Sequence, residues 1–450
     1  MQIKQWQDKN LAQFSYGILS DDQKKIILID PSRNPKPYLD WAGEYGAKII
    51  GIIETHPHAD FVSSHLELQH LTGSPIYVHS LLGASYPHIP FDDGATIEMG
   101  KIKLTSLHTP GHSPDSISIL LEYDGTQRAV FTGDTLFIGD CGRPDLRESA
   151  GNIQSKREDL AKQLYYSLRN KLMKLRDDVI VYPGHGAGSL CGKNLSHNAS
   201  SSIFNEKLTN WSLQQASESE FVENLLKDQP FIPQYFPYDV ELNRKGAPAL
   251  GKSISAIEMK GVVIDATTES LDPMVWIIDG RKQNIYAAGH LAHSINLMED
   301  GSFETWLGTI IKPGEKFYLA GESREQVQRL IQRTAAIGYE MQIEAVLVPI
   351  VTTLTEESLN VTEFKNSQNN YTIVDVRGET EAKHKKVFSA SINIPLTELR
   401  ERVREIPIGK PIVVHCASGY RSAAGSSIIK SILNGNATVY NLSEAVKQFM

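Results

Sequence analysis

At 450 residues the chain exceeds what one hydrophobic core of ordinary size serves, so two to four domains are expected, and the pattern along it suggests three. Its 41% apolar and 22% charged content excludes a disordered or fibrous class. The net charge of −8, with no dense run of Lys and Arg, speaks against nucleic acid as a partner.

The N-terminal stretch MQIKQWQDKNLAQFSYGILS is polar where a signal peptide needs its apolar run, and no segment approaches the roughly 18 apolar residues of a membrane span. A cytoplasmic protein with no membrane partner is expected. From residue 14 onward, apolar runs alternate with turn signals. FSYGIL and KKIILIDP predict two strands, residues 37–45 a helix, and AKIIGIIETHPH a third strand. Further strands are predicted at IKLTSLH, SISILLEY and RAVFTGD, then a helical segment over residues 156–175 and a strand in DVIVYPGHG. These form one α/β domain over residues 1–240.

In QPFIPQYFPYDVELNRKGAPALGK, residues 229–252, repeated prolines remove backbone donors and fix φ. No regular element is expected there, and the first domain boundary is placed in it. Beyond it VVIDATTES, WIIDGR, GHLAHSINL and KFYLAGESREQV are echoed, in the same order, by YTIVDVRGE, KHKKVFSASINIPL and PIVVHCASGYRSA. Two α/β units in tandem are expected, over residues 251–350 and 355–450, meeting near residues 350–362.

The first domain's strands run into loops that carry chemistry. THPHADF, residues 55–61, brings His56, His58 and Asp60 directly after an apolar strand; His112 sits in TPGHS, Asp134 in FTGD and His185 in YPGHG. An isolated HxH reads equally well as solvated loop histidines. Imidazole and carboxylate groups that recur at strand ends beside Gly and Pro turns instead predict metal ligands gathered on one edge of a β core.

This order of motifs resembles the metallo-β-lactamase superfamily over roughly residues 10–200, and the αββα sandwich is the fold that the resemblance implies. The usual pattern of that superfamily is HxHxDH followed by the later His, Asp and His. Here Phe61 stands where the last His of HxHxDH helps hold a second metal, and phenylalanine ligates nothing, so a mononuclear site is favoured. The one-iron branch, the persulfide dioxygenases, is similar also in GDCGRPDL, residues 139–146. That resemblance implies one Fe(II) held by His56, His112 and Asp134, with open positions for substrate sulfur and O2. It implies that His58, Asp60 and His185 orient ligands and substrate through hydrogen bonds. Arg143 is a candidate for holding an anionic substrate, with a surface ion pair as the alternative.

PIVVHCASGYRSAAGSSIIKSIL predicts a buried strand, a loop and a helix, placing Cys416 at the strand's end before the helix N-terminus. Unpaired N–H groups and the helix dipole favour a thiolate there; Gly419 permits the curl and Arg421 adds positive charge. Only Ala417, Ser418, Gly419 and Tyr420 separate Cys416 from Arg421, one residue fewer than in the phosphate cradle of phosphatases, so the ring suits a single sulfur. The segment resembles the rhodanese family from residue 359 to 450, with VDVR and SINIP as supporting marks. That implies Cys416 accepts sulfane sulfur as a persulfide, cradled by the loop amides of residues 417–420, and donates it to a nucleophile. The middle unit keeps the outline but reads YLAGESRE, with Ala320 where the nucleophile is expected, so it is read as an inactive rhodanese-like spacer and interface domain.

Cys191, in PGHGAGSLCGKNL, is expected on a loop closing over the metal edge, where it serves as a sulfur relay or an inert thiol; Cys141 is expected to pack within its own loop. Three scattered cysteines do not form a disulfide framework. End to end, ETHxHADF, GHGAGSxCGK, the cysteine-free middle unit and HCxSGxRS resemble the multidomain persulfide dioxygenase sulfurtransferases of the CstB type, in which a cysteine at this position takes part in sulfur handling. The resemblance implies oxidation of a low-molecular-weight thiol persulfide by O2 to sulfite, then sulfur transfer to sulfite giving thiosulfate, in sulfide detoxification. A homo-oligomer, dimer or tetramer, is the expected assembly. Two alternatives stay open: a glyoxalase II-like thioester hydrolase fused to a rhodanese, and a non-catalytic sulfur carrier or sensor.

Overall fold

A computed structural model describes residues 1–20, 24–148, 156–260, 262–263, 271–348 and 354–450. The chain divides into two compact units, Met1–Lys252 with Ala335–Gly338, and Ser253–Thr334 with Tyr339–Met450. Among the described residues no helix is long and apolar enough to cross a membrane.

The first unit holds two six-stranded sheets. One runs, in spatial order, Gln2–Asp8, Gln13–Ser20, Lys25–Ile29, Lys48–Ile53, Ile76–Val78, Ile89–Pro90; the other runs Ser201–Ser202, Ile180–Pro183, Thr126–Gly133, Ile117–Tyr123, Ile102–His108, Thr96–Met99. Both mix antiparallel and parallel pairs. Alternation along the strands sends one set of apolar residues inward, where Tyr16, Ile18, Ile27, Ile53, Leu104, Ile119 and Phe131 form a core between the sheets. The other faces are covered by helices. Tyr38 and Trp41 of the helix Lys36–Tyr45 pack on Ile26, Leu28 and Ile52, and Leu164 and Leu168 of the helix Arg157–Asn170 pack with Val130 and Val181. Helix, sheet, sheet, helix is the αββα sandwich anticipated from the motifs.

The proline-rich stretch differs from expectation. It contains the helix Phe236–Lys245 and the start of another, Leu250–Lys260, because Pro237 falls in the first turn, where a missing N–H costs no helical hydrogen bond.

The second unit carries two sheets whose strand pairs are all parallel. The order is Val262–Val263, Ile343–Leu347, Phe317–Ala320, Trp276–Asp279, Ser294–Asn296 in one, and Ile392–Asn393, Thr372–Asp375, Ile412–His415, Val439–Asn441 in the other. Most of the predicted strand VVIDATTES, and part of the predicted junction at residues 350–362, lie outside the described residues. The inner strands WIID, FYLA, TIVD and IVVH are buried along their whole length, as parallel strands covered on both faces must be.

Candidate functional site

Each predicted ligand sits just beyond the C-terminal end of a strand in the sandwich. His56 follows Lys48–Ile53, His112 follows Ile102–His108, Asp134 follows Thr126–Gly133 directly, and His185 follows Ile180–Pro183. Close approach of these loops demands small residues. A Cβ on Gly184 would collide with Asp134 Oδ1, and one on Gly142 would run into the backbone of Asp134 and the ring of His112. Ser113 and Asp115 on the His112 loop are both gripped by buried Arg147.

The structure brings His56, His112 and Asp134 together: one ligand atom from each lies within 4.8 Å of the others, and all three residues are buried. Their hydrogen bonds fix which atoms are free. His112 Nδ1 lies 2.9 Å from the Arg143 carbonyl, which can only accept, so the ring carries its proton there and leaves Nε2 bare. Thr55 Oγ1 gives its proton to Asp30 Oδ2 at 2.8 Å and therefore accepts from His56 Nδ1 at 2.9 Å, again leaving Nε2 bare. These two nitrogens stand 3.6 and 3.9 Å from Asp134 Oδ2, a buried oxygen with no hydrogen-bond partner. Two neutral imidazole lone pairs and one orphaned carboxylate oxygen around a common point suit a transition-metal ion. Burial holds both imidazoles below the usual histidine range, as ligands require.

His185 does something else. Its Nδ1 is 2.8 Å from Asp134 Oδ1 and its Nε2 is 2.8 Å from Asp60 Oδ2. Burial opposes its charged form, yet the two carboxylates outweigh burial and hold its pKa well above the usual range. The Nδ1 contact occupies Asp134 Oδ1 and leaves Oδ2 as the free carboxylate oxygen. His58 also turns aside, with Nε2 3.1 Å from Asp30 Oδ1 and 3.5 Å from Glu54 Oε2. The Phe61 ring lies against it, 4.3 Å between ring centres and tilted by 33°. Asp30 and Glu54 were missed in the sequence reading; a carboxylate directly after each of two buried strands, IILID and IIGIIE, was the available signal.

Cys191 Sγ lies within 4.8 Å of ligand atoms of Asp60 and His185, and burial together with Asp60 and Asp134 pushes its thiol pKa up. Cys141 packs among Leu136, Ile138 and Leu168, as expected.

Arg143 needs correction, because it is neither free for substrate nor on the surface. It is 1% exposed and its guanidinium is fully engaged: a bidentate pair with Asp145 at 2.7 and 2.7 Å, and bonds to the carbonyls of Leu190 at 3.1 Å, Phe231 at 3.4 Å and Pro230 at 2.7 Å. Its amide donates to the Cys191 carbonyl at 3.0 Å while its own carbonyl holds His112. It clamps the loops around the site.

In the second unit, Cys416 follows the buried strand Ile412–His415, and the Gly419 amide donates to its Sγ at 3.1 Å. Gly419, with φ of 109°, immediately precedes the helix Tyr420–Leu433. Two members of the predicted ring face elsewhere. The Arg421 guanidinium forks onto Glu381 at 2.7 and 2.9 Å, and Tyr420 donates to the Met298 carbonyl at 3.0 Å. Ala417 and Ser418 complete the turn between Cys416 and Gly419.

The two sheets of this unit share a buried framework. Arg281 forks onto Asp279 with Nε–Oδ1 at 2.9 Å and Nη2–Oδ2 at 2.6 Å; Arg377 forks onto Asp375 at the same two distances. Asn296 and Asn393 tie the same two carbonyls in each copy, those of the Asp and of the Arg. Strand register corrects the expected counterpart of the nucleophile. Asp375 pairs with His415 and Asp279 with Ala320, so Gly321, one residue on, matches Cys416. Gln326, which then corresponds to Arg421, folds back so that its Oε1 accepts from the Glu322 amide at 2.7 Å and its Nε2 donates to the Gly280 carbonyl at 3.1 Å.

Comparison with known proteins bears on both units. The metallo-beta-lactamase superfamily profile matches residues 11–185 and the rhodanese-like domain profile residues 360–450. The human mitochondrial persulfide dioxygenase ETHE1 is 29% identical over 173 residues, which are 38% of this chain and 63% of that protein. The probable hydroxyacylglutathione hydrolase glo2 of Schizosaccharomyces pombe is 31% identical over 176 residues, again 38% of this chain and 63% of that protein. A crystal structure described as a metallo-beta-lactamase from Staphylococcus aureus subsp. aureus COL is 31% identical, with a TM-score of 0.67, covering 77% of this chain and 98% of that one.

Proposed function

The chain belongs to the metallo-beta-lactamase superfamily, and on that premise we propose that it is an iron-dependent persulfide dioxygenase joined to a rhodanese sulfurtransferase. The observation that carries this reading is the three-donor site of His56 Nε2, His112 Nε2 and Asp134 Oδ2, with Phe61 at the position where the superfamily pattern has a further histidine for a second metal.

His56, His112 and Asp134 would hold Fe(II), which would supply the redox chemistry for joining O2 to a persulfide sulfur. The chain's own residues prepare it. Thr55 and the Arg143 carbonyl hold both imidazoles in the tautomer that points Nε2 inward. His185 holds Asp134 Oδ1 through its Nδ1 and so orients the other carboxylate oxygen towards the two imidazoles. Cys191 is kept as a thiol beside the site, suited to hydrogen-bond or exchange with a bound sulfur compound. The overall reaction is RSSH + O2 + H2O → RSH + HSO3⁻ + H⁺. In the second unit, a persulfide on Cys416 gives its outer sulfur to sulfite: the S–S bond breaks, the sulfite lone pair forms the new bond, and thiosulfate and the Cys416 thiolate result. The middle segment is a rhodanese-like unit without a nucleophile. The cytoplasm is the compartment in which free thiols and Fe(II) persist together.

A glyoxalase II-like thioester hydrolase is the second reading, favoured by the similarity to glo2. Against it stands Phe61, which cannot ligate, at the position where the superfamily pattern has a further histidine. The deciding experiment is O2 consumption by metal-quantified protein reconstituted anaerobically with Fe(II) or Zn(II), on addition of a small-molecule persulfide. Uptake with iron alone, with sulfite or thiosulfate formed, is the expected result. No uptake at full iron occupancy, with hydrolysis of S-lactoylglutathione by the zinc form, would establish the hydrolase instead.

A further inference from the structure

The helix that presents its N-terminus to Cys416 is held at several points by the segment that lacks a nucleophile. The strand Ser294–Asn296 is the edge of the middle sheet, and the helix Tyr420–Leu433 lies along it. The Asn296 amide donates to Ser427 Oγ at 3.0 Å, and Ser431 Oγ donates to the Ser294 carbonyl at 3.4 Å, so the helix takes up edge groups that another strand would otherwise pair. At the helix start the contact is tighter. Tyr420, the residue after Gly419, sends its hydroxyl to the Met298 carbonyl at 3.0 Å, and its ring lies so close to Gly301 that a Cβ there would stand 2.8 Å from Cε2.

We infer that the middle segment is a positioning scaffold for the Cys416 loop, acting through Tyr420, which fixes the first turn of the helix and thereby aims the Gly419 amide at the sulfur. This rests on the reading of Cys416 as the sulfur acceptor. Gly419 holds φ of 109°, so its amide direction is set by the residues on either side, and on the helical side that residue is Tyr420. Among the described residues, the other hydroxyl bonded at this turn faces inward. Ser422 Oγ donates to the Gly419 carbonyl at 3.0 Å and lies 3.7 Å from Cys416 Sγ, and it reaches nothing in the middle segment. Charged groups around the loop are Arg377, paired with Asp375, and Arg421, paired with Glu381, on the Cys416 side; Arg333, Glu304 and Asp300 surround Tyr420 on the other. Removing one hydroxyl leaves all of these in place.

The test is the pH profile of Cys416 alkylation by iodoacetamide in the full-length chain, followed at Cys416 by peptide mass spectrometry, together with thiosulfate:sulfur-acceptor kinetics. Tyr420→Phe keeps the ring and removes the bond to Met298. The expected result is an alkylation rate roughly five-fold lower below the inflection, the worth of one neutral hydrogen bond, with the inflection moved to higher pH and Tm close to wild type. Ser427→Ala, which releases the edge strand while improving helix propensity, is expected to shift the profile the same way by a smaller factor. Tyr440→Phe, whose hydroxyl meets exposed Glu357 at 3.3 Å, is the control and leaves the profile alone. Superimposable profiles for Tyr420→Phe and wild type would overturn the inference, whatever happens to Tm. A wild-type chain that transfers no sulfane sulfur would instead overturn the role of Cys416, and the alkylation profile would still decide the positioning.

Discussion

Replacing Arg143 with Met separates a clamp from a substrate-binding group. Met nearly conserves the volume but removes the charge and every side-chain donor. Asp145, 6% exposed and now held below the usual carboxylate range by Arg143, would be left as an unpaired buried anion, and the Leu190 and Pro230 carbonyls would lose their donors. Breaking a buried pair by deleting one partner costs about 3–5 kcal/mol. For a unit of this size, about 2–4 °C in Tm accompanies each kcal/mol, so the expected fall is roughly 6–20 °C. Calorimetry on the metal-free full chain measures it, with persulfide-dependent O2 uptake run in parallel below the transition. Arg143→Lys, which keeps the charge but cannot fork onto Asp145, is expected to fall in between. A change in Tm under about 2 °C with KM raised ten-fold would refute the clamp and restore a substrate role for the guanidinium.

Further outcomes follow from the same geometry. His65, buried against Glu54 and Tyr86 and pushed down to about 3 by burial, stays neutral in the fold while the unfolded chain takes up a proton below pH 6.5. Stability is therefore lost as pH falls from 6.5 towards 3, by about 2 kcal/mol from this residue at pH 5; denaturant titrations of His65→Gln against wild type should show a shallower acid slope, and equal slopes would contradict it. Gly184→Ala puts a methyl into Asp134 Oδ1, so iron content after anaerobic reconstitution should drop at least ten-fold with the sandwich still folded, and full metal loading would show that the loop yields. Cys416→Ser should leave O2 uptake intact and shift product from thiosulfate to sulfite; loss of uptake would break the proposed division of labour.

Much of the sandwich was legible because its strands are apolar runs ended by Gly, Pro or Asp, and its ligands sit at those ends. The three-donor group was legible for the same reason: His56, His112 and Asp134 lie within four residues of the C-terminal end of a strand. What escaped depends on distant partners. The donors of Arg143 meet residues 145, 190, 230 and 231, and nothing local distinguishes such a clamp from a free cation. Gly321 was missed by one residue because only cross-strand register, set by Asp279 and Ala320, aligns the two sheets. The helix Phe236–Lys245 was hidden by prolines whose harm depends on position in the turn.

The folded-back Gln326 bears on how reversible the loss of a nucleophile is. In the Cys416 loop the amide of Gly419, three residues past the sulfur, points at it; in the middle segment the amide of Glu322, one residue past Gly321, is taken by the side-chain carbonyl of Gln326, an acceptor without charge. Gly321→Cys would place a thiol in a loop whose amide is occupied and whose space beside Val327 is filled. A thiol at residue 321 would therefore meet Val327 and the Gln326 carbonyl before it met a free amide.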